Sequence, residues 1–242
     1  MSFFCGIIWC VIALTVCILT RKYYIPYYIN SKKHTQTSDD SKSTDEKDVK
    51  SEPVVRSKIL DNKTVKLIFY ILIGIFSAVF GFFTFNNASD YVSLAKIFFC
   101  MLILLMIVVT DTELSIIPNL LVLILLLSRF IFLVFDLFNP QKEAWKLLLN
   151  NVIVSLVILA FLIIMSKITR GGLGAGDIKL YAALAFVSNL NTVVFTLFFA
   201  LLGSALLSIV LLILKKKKLR DSFPMGPFIC LGFGLTIILG LA

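Results

Sequence analysis

Residues 97–111 read IFFCMLILLMIVVTD, an apolar run that stops on a carboxylate. It is part of a span at about 92–110, long enough as a helix to cross the roughly 30 Å of hydrocarbon in a bilayer. An acid at the edge of hydrocarbon costs about 3 kcal/mol, so a chain this apolar has little reason to keep an idle one. Yet Asp111 has a counterpart. Residues 174–180 read GAGDIKL, where Asp177 opens a second apolar segment directly after Gly174-Ala175-Gly176. Two such acids, each beside a glycine or proline signal, suggest a pair built to work together.

The rest of the chain fits a membrane reading. Of 242 residues, 59% are apolar and only 15% charged, which is too apolar for an ordinary soluble domain. Further spans are expected at about 3–20, 66–85, 118–136, 146–166, 177–188, 192–214 and 226–242. The fold class is therefore all-α and polytopic, with about eight transmembrane helices. Residues 1–20 form the first of them, retained because the charges follow the apolar run and no small-residue cleavage site does. Residues 21–66 form a linker in which 31–52 mix both charges with almost no large apolar side chain, the composition of disorder. Residues 67–242 hold the remaining seven helices.

Charge sets the expected orientation. The net charge is +9, and the segments 21–66, 167–179 and 215–220 carry 19 of the 23 Lys and Arg residues. All three fall on one side if the N-terminus lies outside, which makes that side cytoplasmic. Asp111 and Asp177 then share the cytoplasmic boundary. The excess basic charge thus reads as topology and as affinity for membrane lipid, with no nucleic-acid partner. Lys215 to Lys218 suit either a topology anchor or a grip on anionic lipid, at about 1 kcal/mol each.

The chemistry follows from proximity. Two carboxylates about 4 Å apart repel by roughly 4 kcal/mol at an effective dielectric near 20, about three pK units. One then stays protonated near neutral pH while the other is ionised, so the pair offers an acid and a base together. An ionised partner can take a proton from water as that water attacks a peptide carbonyl. Such a pair needs no cofactor and no metal. The five cysteines show no C-x-x-C spacing, and the single His34 lies in the linker, so no metal site is expected. Gly171, Gly172, Gly174 and Gly176 give a loop against which an extended substrate could lie, or simply a flexible connection. Lys179, two residues past Asp177, is either a snorkelling topology charge or a group that tunes the acid.

Three segments carry a resemblance. Thr110-Asp111-Thr112-Glu113 leads to Ile117-Pro118-Asn119, then comes Gly174-Ala175-Gly176-Asp177-Ile178-Lys179-Leu180, then Pro224-Met225-Gly226-Pro227-Phe228. Together, over roughly residues 65–242, they resemble the type IV prepilin peptidases, G-x-G-D membrane aspartic proteases that cut the leader from prepilins and pseudopilins. The resemblance implies Asp111 and Asp177 as the catalytic pair. It also implies that Pro118, Asn119, Gly174, Gly176, Lys179, Pro224, Gly226 and Pro227 shape the active site, and that the substrate is a prepilin or pseudopilin. Glu113 stands where members often have another aspartate, a position the resemblance does not make catalytic. Bifunctional members carry paired C-x-x-C motifs in the loop after the first helix and also N-methylate the product. The corresponding segment 21–66 has no cysteine, which argues against a zinc site and puts methylation in doubt.

Two other readings compete. Presenilin-type and signal-peptide-peptidase-type proteases share G-x-G-D, but they show a Tyr-Asp pair where this chain has Thr110-Asp111. A transporter could use both aspartates as an ion site, although carriers bind near the midplane and these acids lie at a boundary. Arg129, inside the fourth span, is a costly charge unless paired. Asp136, two turns along the same face, is in reach, and a structural role is expected for it.

Overall fold

The computed structural model describes residues 2–31, 63–87, 90–138, 144–169, 172–213 and 224–241. Eight α-helices account for nearly all of them: α1 (Ser2–Leu19), α2 (Lys63–Asn87), α3 (Tyr91–Leu114), α4 (Asn119–Leu137), α5 (Ala144–Ile168), α6 (Ala175–Val187), α7 (Leu190–Ile213) and α8 (Gly226–Ile238). No strand occurs among the described residues. The protein is an all-α polytopic membrane protein.

Among the described residues, six helices are long and apolar enough to cross a membrane. All eight expected helices are present, and two of them are shorter than a membrane span. α6 and α8 have 13 residues each, about 20 Å at 1.5 Å per residue, well short of the hydrocarbon thickness. Apolarity alone does not separate a spanning helix from a short buried one, and both short helices are packed inside the bundle.

The first helix runs on past its expected end. A π turn, Thr20–Tyr24, follows α1, and residues 25–31 are again helical. Residues 21–31, placed in the linker by composition, therefore extend the first helix. The expected disorder of the remainder falls on 32–62, outside the described residues, as does His34.

α3 is the centre. From Cys100 to Leu114 nearly every side chain is buried, including Met101, Leu104, Leu105, Ile107 and Val109. The sequence is apolar all round, which suits a helix enclosed by others. α1 packs chiefly on α2, α7 on α8, α5 on α6, while α8 and α4 reach across to α3 and α6 respectively. The outer helices turn large apolar residues outward, among them Leu72 and Ile75 of α2 and Phe130, Ile131 and Phe135 of α4. Lipid is as apolar as leucine, so association rests on close packing more than on burial. Gly232 shows how close: a Cβ there would lie 2.6 Å from the carbonyl oxygen of Thr196, so α7 and α8 touch backbone to backbone.

Arg129 is paired as its spacing suggested. Its Nη1 donates to Asp136 Oδ2 at 2.9 Å, with both side chains buried on α4. Lys96 Nζ lies 3.7 Å from the same oxygen.

Candidate active site

Local sequence explains how the first acid is presented. α3 is capped at its start by Asp90, whose side chain accepts from the Val92 N–H. It ends at Ser115, which sits in the left-handed region at φ 51° and donates its N–H to the Asp111 carbonyl at 2.8 Å. Pro118 follows, disfavours helix at Ile117, and stands as the N-cap of α4. The chain therefore reverses just after Asp111, leaving that carboxylate near one end of the bundle. It is 5% exposed. The N–H of Gly226 donates to Asp111 Oδ2 at 2.7 Å, so the first residue of α8 holds the first acid in place.

The second acid sits in the first turn of α6, where the helix dipole favours negative charge. Gly174 is the N-cap of α6, and its backbone N–H bonds the Asp177 carboxylate. A Cβ on Gly174 would come within 2.8 Å of Asp177 Oδ2. Gly176 packs on the turn between α3 and α4, where its Cβ would meet that of Ile117 at 3.2 Å. The glycines thus bring the start of α6 down onto the end of α3. Asp111 and Asp177 line one cavity of about 1070 Å³, close enough for the charge of Asp111 to act on Asp177.

The same cavity is lined by Asn119, Gly174, Gly176, Lys179 and Pro224. Lys179 Nζ reaches Asn119 Oδ1 at 3.5 Å, a long contact between α6 and α4. Pro118, Gly226 and Pro227 do not line the cavity. They act one layer back: Pro118 starts α4, Pro227 lies in the first turn of α8, and Gly226 holds Asp111.

Several wall residues carried no signal in the sequence. Phe161, Leu162 and Met165 of α5 face Leu197, Leu201, Ser204 and Ser208 of α7 across the cavity, and Tyr28 closes part of it from the extension of α1. An apolar residue that faces a cavity looks no different in sequence from one that faces lipid. Tyr28 lay in a segment read as linker.

Glu113 is placed elsewhere. It is 1% exposed, does not line the cavity, and forms an ion pair with Arg21 in the π turn after α1. Glu113→Gln should therefore keep most of the activity while lowering stability by about 1–3 kcal/mol, the usual cost of leaving a buried polar partner unmatched. Thermal unfolding in detergent beside a cleavage assay checks both halves; a stable but inactive variant would move the first acid to Glu113.

Fold and site together define an all-α polytopic membrane protein with two carboxylates lining one cavity at one end of its helical bundle. Residues 97–213 match the type IV leader peptidase family. The match includes both aspartates and is narrower than the expected 65–242, leaving the Pro224–Pro227 segment outside it. The chain is also 30% identical, over 138 residues, to the prepilin leader peptidase/N-methyltransferase of Bacillus subtilis (strain 168). That alignment covers 57% of this chain and 53% of the relative, so the chain spans about half the relative's length. No solved structure matches the chain.

Proposed function

We propose that this protein is a membrane aspartic endopeptidase that removes the leader from prepilin-like proteins. The observation that carries the reading is the meeting of Asp111 and Asp177, from α3 and α6, in one cavity. The ionised carboxylate of the pair takes a proton from a bound water, and the resulting hydroxide attacks the peptide carbonyl carbon. The protonated partner gives its proton to the carbonyl oxygen, producing a tetrahedral diol. The first carboxylate then passes its proton to the leaving nitrogen as the C–N bond breaks, and the second recovers a proton from a diol hydroxyl. The proton inventory belongs to the pair rather than to either residue.

The cavity wall supports the substrate class. Phe161, Leu162 and Met165 on one side and Leu197 and Leu201 on the other give an apolar passage leading to the acids. An apolar helix next to the leader would lie there, with the scissile bond at the carboxylates. The distribution of Lys and Arg supports a multi-pass protein of the cell membrane, N-terminus outside and site facing the cytoplasm. Cleavage alone is proposed: segment 21–66 contains no cysteine with which to build the paired metal motifs of bifunctional members.

The purified protein in detergent, incubated with a prepilin-like substrate bearing a basic leader and an apolar helix, should release the leader, detected by mass. A folded protein that leaves this substrate whole across the pH range 5–8 would refute the reading.

A further inference from the structure

At the other end of the bundle lies a second cavity, of about 430 Å³, that the proposed chemistry does not use. On α3 the nearest lining residues of the two cavities, Cys100 and Asp111, are eleven positions apart, about 16 Å along that helix. The second cavity exists because α6 and α8 end early: Val187, Ser188 and Ile237 form part of its wall. A lipid-filled gap would need an apolar lining. This one mixes apolar side chains with polar and charged ones, among them Lys96, Arg129 and Asp136.

Three buried side-chain atoms without a hydrogen-bond partner belong to residues lining it: Arg129 Nε, Asn151 Oδ1 and Thr84 Oγ1. Their residues are 1%, 4% and 1% exposed. Buried polar groups are nearly always satisfied, so three exceptions around one cavity point to a missing partner. Asp136 does not fill that need. Its Oδ2 is already approached by both Arg129 Nη1 and Lys96 Nζ, while the Nε–H of the same guanidinium remains free of any acceptor. Helix ends add little net field, since α3, α5 and α7 begin near this cavity and α2, α4, α6 and α8 end near it.

We infer that this cavity binds a phosphate-class oxyanion, with Arg129 as its principal donor, Lys96 as a second cation, and Thr84 and Asn151 as neutral partners. A guanidinium offers several N–H donors in a fixed fork, and a tetrahedral oxyanion has enough acceptors to meet one already shared with a carboxylate. A hydroxyl carried by the ligand would satisfy Asn151 Oδ1. The volume exceeds that of bare phosphate and leaves room for a small headgroup.

The test uses the purified full chain in maltoside detergent, delipidated, with three additions: inorganic phosphate, short-chain phosphatidylglycerol, and a diacylglycerol lacking phosphate. Thermal unfolding and native mass spectrometry report binding. Saturable binding and a raised Tm are expected with phosphatidylglycerol or with phosphate, and none with diacylglycerol. Phosphatidylglycerol alone would identify a lipid headgroup; phosphate as well would identify a free-anion site. Arg129→Gln should abolish binding but also disturbs the Asp136 pair. Thr84→Val and Asn151→Leu leave that pair intact, and each should weaken binding about tenfold. Equal response to all three additions, no response to any, or unchanged affinity in both neutral variants would overturn the inference.

Discussion

Asp111→Asn and Asp177→Asn should each lower leader cleavage by about a thousandfold or more, the scale of lost acid–base participation. Neither change should unfold the protein. Asparagine keeps the shape of aspartate, and its carbonyl oxygen can still accept from Gly226 at the first site and from Gly174 at the second. What disappears is the shared proton. Since the two groups act as one unit, the double variant should be no worse than either single one. Multiplying losses would mean that each acid works separately. Near wild-type cleavage by either single variant would end the paired mechanism and favour an ion-carrying role for the acids.

Gly226→Ala should be the most damaging change outside the pair. An added Cβ would stand 2.9 Å from Asp111 Oδ2, closer than real Cβ contacts run, and 3.0 Å from Asp111 Cβ, at their tight edge. Either the carboxylate turns away or the start of α8 moves, and the 2.7 Å bond from the Gly226 N–H is lost in both cases. A displacement of about 1 Å at a reacting group is enough for a hundredfold loss in rate. The cost in stability should be smaller, about 1–3 kcal/mol, as for other overpacked sites. The signature is therefore a folded, inactive protein. Full activity in this variant would show that α8 does not position the first acid.

Much of this candidate site is legible in the sequence. Asp111 and Asp177 stood out because charge in an apolar run is rare, and the glycines and prolines around them announced breaks in helix. Gly226 was read as part of a motif, but its N–H on Asp111 is a contact between residues 115 positions apart, which no local pattern encodes. The helical path through residues 21–31 was missed for a related reason. Its Arg21, Lys22 and string of tyrosines look like a membrane exit, whereas the ion pair with Glu113 on α3 ties Arg21 to the bundle. α6 and α8 were counted as spans because the hydropathy of a short buried helix matches that of a crossing one. The Arg129–Asp136 pair was visible because both residues lie on one helix at a regular spacing.

Hollows at both ends leave little insulation in the middle. Along α6 the buried stretch Leu180, Tyr181, Ala183, Leu184 and Ala185 separates the aspartate cavity from the one lined by Val187 and Ser188. From Lys179, which lines the first, to Val187, which lines the second, is eight positions, about 12 Å and less than half of the bilayer's apolar depth. The close packing of these side chains is what keeps the two hollows apart along α6, although none of them lines either one.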